Sequence, residues 1–249
     1  MPGRVESSHR IDHPLVIIPA CNEAGRIEAV LDGLHALPQR LDIVVIDDGS
    51  TDNTRALAKA HGAIVLRHPF NLGYGASLQT GYLYACRHGY QQLVQMDADG
   101  QHDPISVETL LKALDEGADL AVGSRFQIPN TAPPTTLMRR MGSRMFAKIV
   151  NLWTGLRITD PTSGFQGLSR RAIDQVAQDG FPEDYPDADV LIQLATSGLK
   201  LVEVPVKMHA RVGGVSMHRG SRAAFYAYKM FMSLALLKVR RRSPYRTAS

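Results

Sequence analysis

The segment Asp97-Ala98-Asp99-Gly100-Gln101-His102 sets two carboxylates two residues apart, directly after the apolar run 93–96. Such a pair can grip one hard divalent cation. Mg2+ and Mn2+ prefer oxygen donors and commonly keep phosphate and water as further ligands. Gln101 offers a neutral oxygen beside them, so Asp97, Asp99 and Gln101 are the candidate metal ligands. Paired acids are frequent in solvated turns, and this pair gains weight from its position after a strand-like run and from three further features. Asp47-Asp48 closes the apolar run 43–46 and leads into Gly49-Ser50-Thr51-Asp52. A carboxylate at position 48 can accept the N–H edge of a nucleobase, and Asp52 is expected to cap the helix that follows. Pro19, Asn22 and Glu23 follow the apolar run 15–18, and Glu23 could reach ribose hydroxyls. Finally, residues 121–172 hold eight Lys and Arg against one acid, Asp160. Arginine pairs with phosphate oxygens through two parallel bonds. Arg125 sits just past a strand, and Arg139, Arg140, Ser143 and Arg144 share helical spacing.

These residues need elements to position them. Short apolar runs at 15–18, 43–46, 63–66, 93–96 and 120–122 read as buried strands. Between them, 24–37, 52–61, 74–88 and 104–115 have helical character, with stops at Pro38, Gly62 and Gly89. This alternation predicts a mainly parallel sheet covered by helices. Ligands of such sheets bind beyond the carboxyl ends of the strands, and all three acidic clusters fall there. The second half is less regular. A Pro/Thr-rich loop at 127–136 precedes a helix from about 137 to 153, a turn-rich stretch at 159–164, a helix at 187–197, a strand at 199–206 and an apolar helix at 221–240.

A chain of 249 residues buries enough surface to fold without staples. The two cysteines, Cys21 and Cys86, form no framework and no paired metal motif. The polar N-terminus carries no apolar signal core, and no uncharged run approaches the roughly 20 residues that span a bilayer. Net charge is +4, unevenly spread. After Glu203 there is no acid and there are ten Lys and Arg, whereas the first 203 residues carry 18 basic and 24 acidic groups, a net of −6. The basic end is expected to meet an anionic surface or substrate. No recognition motif accompanies it, so no nucleic-acid partner is expected.

The ordered segments at 17–23 (IIPACNE), 44–54 (VVIDDGSTDNT), 71–81 (NLGYGASLQTG), 95–104 (QMDADGQHDP) and 123–125 (GSR) resemble the family 2 glycosyltransferases of the GT-A fold, over roughly residues 14–216. Asp160 to Phe165, the strand around Val204 and the stretch Arg211 to Ser216 are similar to the polyprenyl-phosphate glycosyltransferase subgroup, which includes the dolichol-phosphate mannose synthases. The resemblance implies a GT-A catalytic domain at 1–216; beyond it, the apolar run and clustered arginines read as a basic amphipathic helix and tail at 217–249. It implies that Pro19, Asn22, Glu23 and Asp48 hold the nucleoside of a UDP- or GDP-sugar. Asp97, Asp99 and Gln101 would hold Mg2+ or Mn2+ with the diphosphate. Arg125, Arg139 and Ser143 would hold phosphate groups, and Arg211 and Ser216 belong to the same donor and acceptor set. Where the subgroup carries an acid in an apolar stretch, this chain has Asp187-Ala188-Asp189, with Glu183-Asp184 nearby.

The resemblance further implies inversion at the anomeric carbon, with Asp99, Arg125 and Asp189 as the catalytic set. A hydroxyl acceptor, as in cell-surface polysaccharide synthesis, needs a carboxylate base, for which Asp189, Asp184 and Asp187 are candidates in that order. A polyprenyl phosphate is already an anion and needs none. The helix at 221–240 with its flanking arginines suits the interface of an anionic membrane through 221–242. It equally suits a core position. The membrane reading places the enzyme on the cytoplasmic face, with a separate integral membrane protein as partner. A nucleotidyltransferase is disfavoured, because Asn22-Glu23 stands where its basic glycine-rich loop would follow the first strand.

Overall fold

The computed structural model describes residues 11–128, 137–178 and 188–209. In chain order the elements are β1 (Leu15–Ala20), α1 (Ile27–His35), β2 (Asp42–Asp48), α2 (Thr54–Ala60), β3 (Ile64–His68), α3 (Tyr74–His88) and β4 (Gln92–Gln95). They continue as α4 (Ser106–Asp115), β5 (Leu120–Ser124), α5 (Leu137–Thr154), β6 (Gln166–Ser169), α6 (Arg170–Val176), α7 (Ala188–Thr196) and β7 (Leu201–Pro205). The strands form one sheet in the order β3-β2-β1-β4-β6-β5-β7. All neighbours run parallel except β6, which is antiparallel to both β4 and β5.

Both faces of the sheet are covered, which is why the central strands read as continuous apolar runs rather than alternating ones. Leu15, Ile17, Val44, Ile46 and Leu93 pack with Leu78 of α3, Phe146 and Val150 of α5, Ile173 of α6 and Leu191 of α7. Val16, Ile18, Val45 and Val94 pack on the other side with Ile27 and Leu31 of α1, Ala58 of α2 and Leu110 of α4.

Within the described residues the expected strands and helices are present, with ends shifted by a few residues; the helix expected at 221–240 lies outside them. Three elements depart from expectation. The turn-rich stretch at 159–164 runs into β6 and the short α6, neither of which has a sequence signal. β6 is a strand because its four residues, Gln166 to Ser169, lie between β4 and β5 and complete both ladders. β1 runs past the expected end of its apolar run at 18, through Pro19 to Ala20. The Ile17 carbonyl accepts the Met96 N–H at 3.1 Å on the β4 side. Pro19, two residues on, faces the same way but lies beyond the end of β4, where no ladder donor is needed.

That position matters. From β1 the chain proceeds to β2 and β3 on one side, and then crosses back to β4 on the other. The gap between the carboxyl ends of β1 and β4 is therefore a topological switch point, where open α/β sheets place their ligands.

Candidate active site

The loop after β4 stands at this switch point. Gly100 adopts φ +74° to turn it, a conformation that suits glycine. Asp99 Oδ1 accepts the Gln101 N–H at 3.0 Å. The far end of the loop is pinned to the strand-exit segment after β7: His209 N–H donates to the Gln101 carbonyl at 2.7 Å, and Asp103 lies 3.3 Å from His209 Nε2 and 3.6 Å from Lys207 Nζ. Asp97 is held from both directions. Tyr74 Oη donates to its Oδ1 at 2.9 Å, and its own N–H donates to His102 Nδ1 at 3.1 Å.

His102 joins this loop to the basic region. Its ring is buried and stacks on Phe165, with centroids 4.6 Å apart and planes 8° from parallel. Burial pushes its pKa down to about 4, against the pull of the Asp99 carboxylate, with Arg125 lowering it further and Asp160 raising it. His102 Nε2 also lies 3.8 Å from Asp97 Oδ2. Arg125 leaves β5 and donates from Nε to Asp160 Oδ2 at 2.6 Å. Asp160 is buried, and its backbone N–H is tied to Glu203 Oε1 at 2.7 Å. Among the described residues no protein acceptor takes the two Nη groups of Arg125. The loop 160–165 then passes over the acidic loop so closely that a Cβ on Gly164 would sit 2.9 Å from Tyr74 Oη and 3.4 Å from Asp97 Oδ2.

On the other side of the gap, the β1–α1 and β2–α2 loops are stitched together. Asn22 adopts φ +57°. Its Oδ1 accepts the Thr51 N–H at 2.9 Å, while its own N–H donates to Ser50 Oγ at 3.0 Å. Glu23 N–H donates to Thr54 Oγ1 at 2.8 Å, and the Glu23 carboxylate pairs with Arg26. Asp52 accepts from Ala24 N at 3.1 Å and Thr54 N at 3.0 Å. It therefore stands one residue ahead of the N-cap, Asn53, and not in the cap position expected of it, because its carboxylate bridges two loops.

The two acids closing β2 have different lives. Asp48 engages both oxygens: Oδ1 accepts from His68 Nδ1 and Leu72 N, each at 2.8 Å, and Oδ2 from Gly73 N at 3.0 Å. It shapes the loop at 69–73. Asp47 Oδ1 accepts from Ser50 N at 3.0 Å, but its buried Oδ2 has no hydrogen-bond partner among the described residues, and its nearest cation is Arg67 Nε at 3.9 Å. A buried acceptor without a donor is costly, and commonly marks the place of a water or ligand.

The structure thus brings Pro19, Asn22, Glu23, Asp48, Asp97, Asp99, Gln101 and Arg125 to one end of the sheet. Ser143 lies on α5 with a buried Oγ that has no partner among the described residues. Arg139 is in the first turn of α5 and Asp189 in that of α7 by backbone, and their side chains lie outside the described part. Asp184, Asp187, Arg211, Ser216 and the segment 217–249 lie outside the described residues altogether. Sequence reasoning missed Tyr74, His68, His102 and Glu203. The first three fall within or next to the motif segments, but nothing in their spacing says what they touch.

Among the described residues, no group of three His, Cys, Asp or Glu forms a metal cage. The donor set of two carboxylates and one amide nonetheless suits a cation that takes its remaining ligands from a diphosphate and water.

The sequence profile of Glycosyl transferase family 2 matches residues 15–177. The chain belongs to this family. The glycosyltransferase is 32% identical over 245 residues to polyprenol monophosphomannose synthase of Mycolicibacterium smegmatis, an alignment covering 92% of this chain and 88% of that one. It is also 32% identical over 217 residues to undecaprenyl-phosphate mannosyltransferase of Micrococcus luteus, covering 83% and 87%. Its fold is similar to glucosyl-3-phosphoglycerate synthase of Mycobacterium tuberculosis, solved with Mn2+, UDP and glucosyl-3-phosphoglycerate. The TM-score is 0.68 at 22% identity, covering 89% of this chain and 78% of that one. The likeness establishes the GT-A architecture expected from the sequence.

Proposed function

We propose that this glycosyltransferase moves a sugar, with inversion, from a UDP- or GDP-sugar to a polyprenyl phosphate at a membrane surface. The observation that carries the reading is the close passage of the loop 160–165, which holds Arg125 through Asp160, over Tyr74 Oη and Asp97 Oδ2, at the switch point of the sheet. An acidic loop able to hold a cation and a clamped guanidinium then face the same leaving group. The lipid-phosphate acceptor is supported by the two mannosyltransferase relatives, and the nucleotide donor by the UDP and Mn2+ held in the similar fold.

In this reading the cleft between β1 and β2 receives the nucleoside. Pro19, Asn22, Glu23 and Asp48 hold it, and Asp48 also sets the shape of the loop at 69–73. Asp97, Asp99 and Gln101 would hold Mn2+ or Mg2+, which screens the charge that develops on the departing diphosphate. Arg125, locked at Nε by Asp160, turns its Nη groups to the same phosphate oxygens without reorganising during the reaction. Arg139, Ser143, Arg211 and Ser216 complete the contacts to donor and acceptor phosphates. The acceptor phosphate carries its own negative charge, so Asp189, Asp184 and Asp187 are not required as bases. Among the described residues no helix is long and apolar enough to cross a membrane. The basic segment 221–242 then serves as the surface contact, on the cytoplasmic face.

Two measurements test this. UDP or GDP with Mn2+ raises the melting temperature of the wild type by mass action and leaves that of Asp99→Ala unchanged. A shift of equal size without metal overturns the ion's role. Incubation with radiolabelled nucleotide-sugars and polyprenyl phosphate yields a product that partitions into organic solvent and is cleaved by mild acid. A water-soluble polymeric product instead sinks the lipid acceptor.

A further inference from the structure

Behind Asp97 runs a line of three buried or half-buried polar side chains that the transferase chemistry does not use directly. Tyr82, two turns into α3, donates to Gln95 Oε1. Gln95, the last residue of β4, donates from Nε2 to Tyr74 Oη at 3.1 Å. Tyr74, the first residue of α3, donates to Asp97 Oδ1 at 2.9 Å. Tyr82 and Gln95 are 3% and 2% exposed.

The direction of this line follows from its far end. A carboxylate only accepts, so the Tyr74 hydroxyl must give Asp97 its one proton. Tyr74 Oη can then serve Gln95 only as an acceptor, which turns the amide N–H2 toward it and the amide oxygen toward Tyr82. Tyr82 in turn must donate, and burial pushes its pKa well up, so it keeps its proton. Flipping the Gln95 amide would set its oxygen against a hydroxyl with no proton left to give. Every member has one workable orientation, and the series ends on one oxygen of Asp97. The cover is equally tight, because the backbone of Gly164 leaves no room for a Cβ above Tyr74 Oη. A polar line through an otherwise apolar layer is costly unless fully satisfied. Phe and Leu at these three positions would pack the same layer without that cost. The polar groups are accounted for if holding Asp97 is what they do.

We propose that Tyr74, Gln95 and Tyr82 act as positioning residues that fix the Asp97 carboxylate in the orientation that receives the divalent cation and the donor diphosphate. This rests on the transferase reading above. Hydrogen-bond partners behind a metal ligand typically tune affinity by about 10–100-fold.

The test uses the full chain and Mn2+ titrated by electron paramagnetic resonance, with UDP and in parallel with GDP. Tyr74→Phe removes only the hydroxyl. It is expected to weaken Mn2+ binding about tenfold and to regain turnover at saturating Mn2+, while the buried Gln95 amide left without its acceptor lowers the metal-free melting temperature. The double variant Tyr82→Phe/Gln95→Leu replaces both buried polar groups by apolar ones of similar shape, which is close to neutral for stability. It is expected to lose Mn2+ affinity as well. Mn2+ binding within about twofold of the wild type in Tyr74→Phe, below the usual range for such partners, overturns the inference. So does lost turnover that added Mn2+ fails to restore. A wild type that binds neither nucleotide with Mn2+ overturns the proposed UDP- or GDP-sugar donor, and this inference with it.

Discussion

Cys21 follows β1 at the mouth of the cleft, accepting a hydrogen bond from Asn71 Nδ2 at 3.2 Å. Burial raises its pKa above the ordinary 9.0, and the negative charges of Asp48, Asp47 and Asp52 add to the rise. Cys86 is raised too, by burial first. The reactive species is the thiolate, and a raised pKa lowers its fraction at any pH below that value. Both thiols are therefore expected to alkylate with iodoacetamide more slowly than a free cysteine at pH 7 to 8, with rates that go on rising with pH past the point where those of a free cysteine level off. Site-resolved mass spectrometry reads this, and rapid labelling of Cys21 at pH 7 contradicts the charge environment assigned to it. Single residues were also where sequence reasoning reached least far. The types at 47, 48, 97, 99 and 125 announced acid and base chemistry, and the chain folds them to one end of the sheet. Which of Asp47 and Asp48 keeps an unengaged oxygen was not readable, because it depends on His68 and on the backbone N–H groups of Leu72 and Gly73, twenty or more residues away. Tyr74 looked like any helix-opening aromatic until β4 brought Asp97 to its hydroxyl.

At the level of elements, the central strands and α3 were legible because their signals are local. Apolar runs bounded by Gly and Pro specify doubly covered strands, and Tyr74 to His88 carries its own stop at Gly89. β6 was not legible, since the Gln, Gly and Ser it contains carry little strand propensity of their own and the ladder is imposed by neighbours. The turn after β2 shows the same dependence on context. Gly49 has φ +68°, and a Cβ there would lie 2.6 Å from Asn71 N and from the carbonyl carbon of Phe70. The clash is with backbone and cannot be relieved by a rotamer. Gly49→Ala is expected to destabilise the fold by about 3 kcal/mol, combining left-handed strain with overpacking. Urea denaturation checks this, and a loss below about 1 kcal/mol would show that the loop at 69–73 yields more readily than such overpacked sites do.

For the molecule as a whole, charge is divided between an acidic body and a basic end that begins after Glu203. The full chain is expected to sediment with vesicles containing phosphatidylglycerol at low salt, and to be released at high salt as screening shortens the reach of the arginines. Equal binding to neutral phosphatidylcholine vesicles would argue for apolar insertion alone. A different consequence follows from the stitching of the β1–α1 loop to the β2–α2 loop, and of Asp48 to the segment at 69–73. Three stretches separated in sequence depend on one another for their backbone hydrogen bonds, so residues 20–73 behave as one heritable cassette. Chimeras that exchange this span intact with a relative keep every partner together. A crossover placed inside it orphans donors on both parents, so recombination among such enzymes should leave viable breakpoints outside that window.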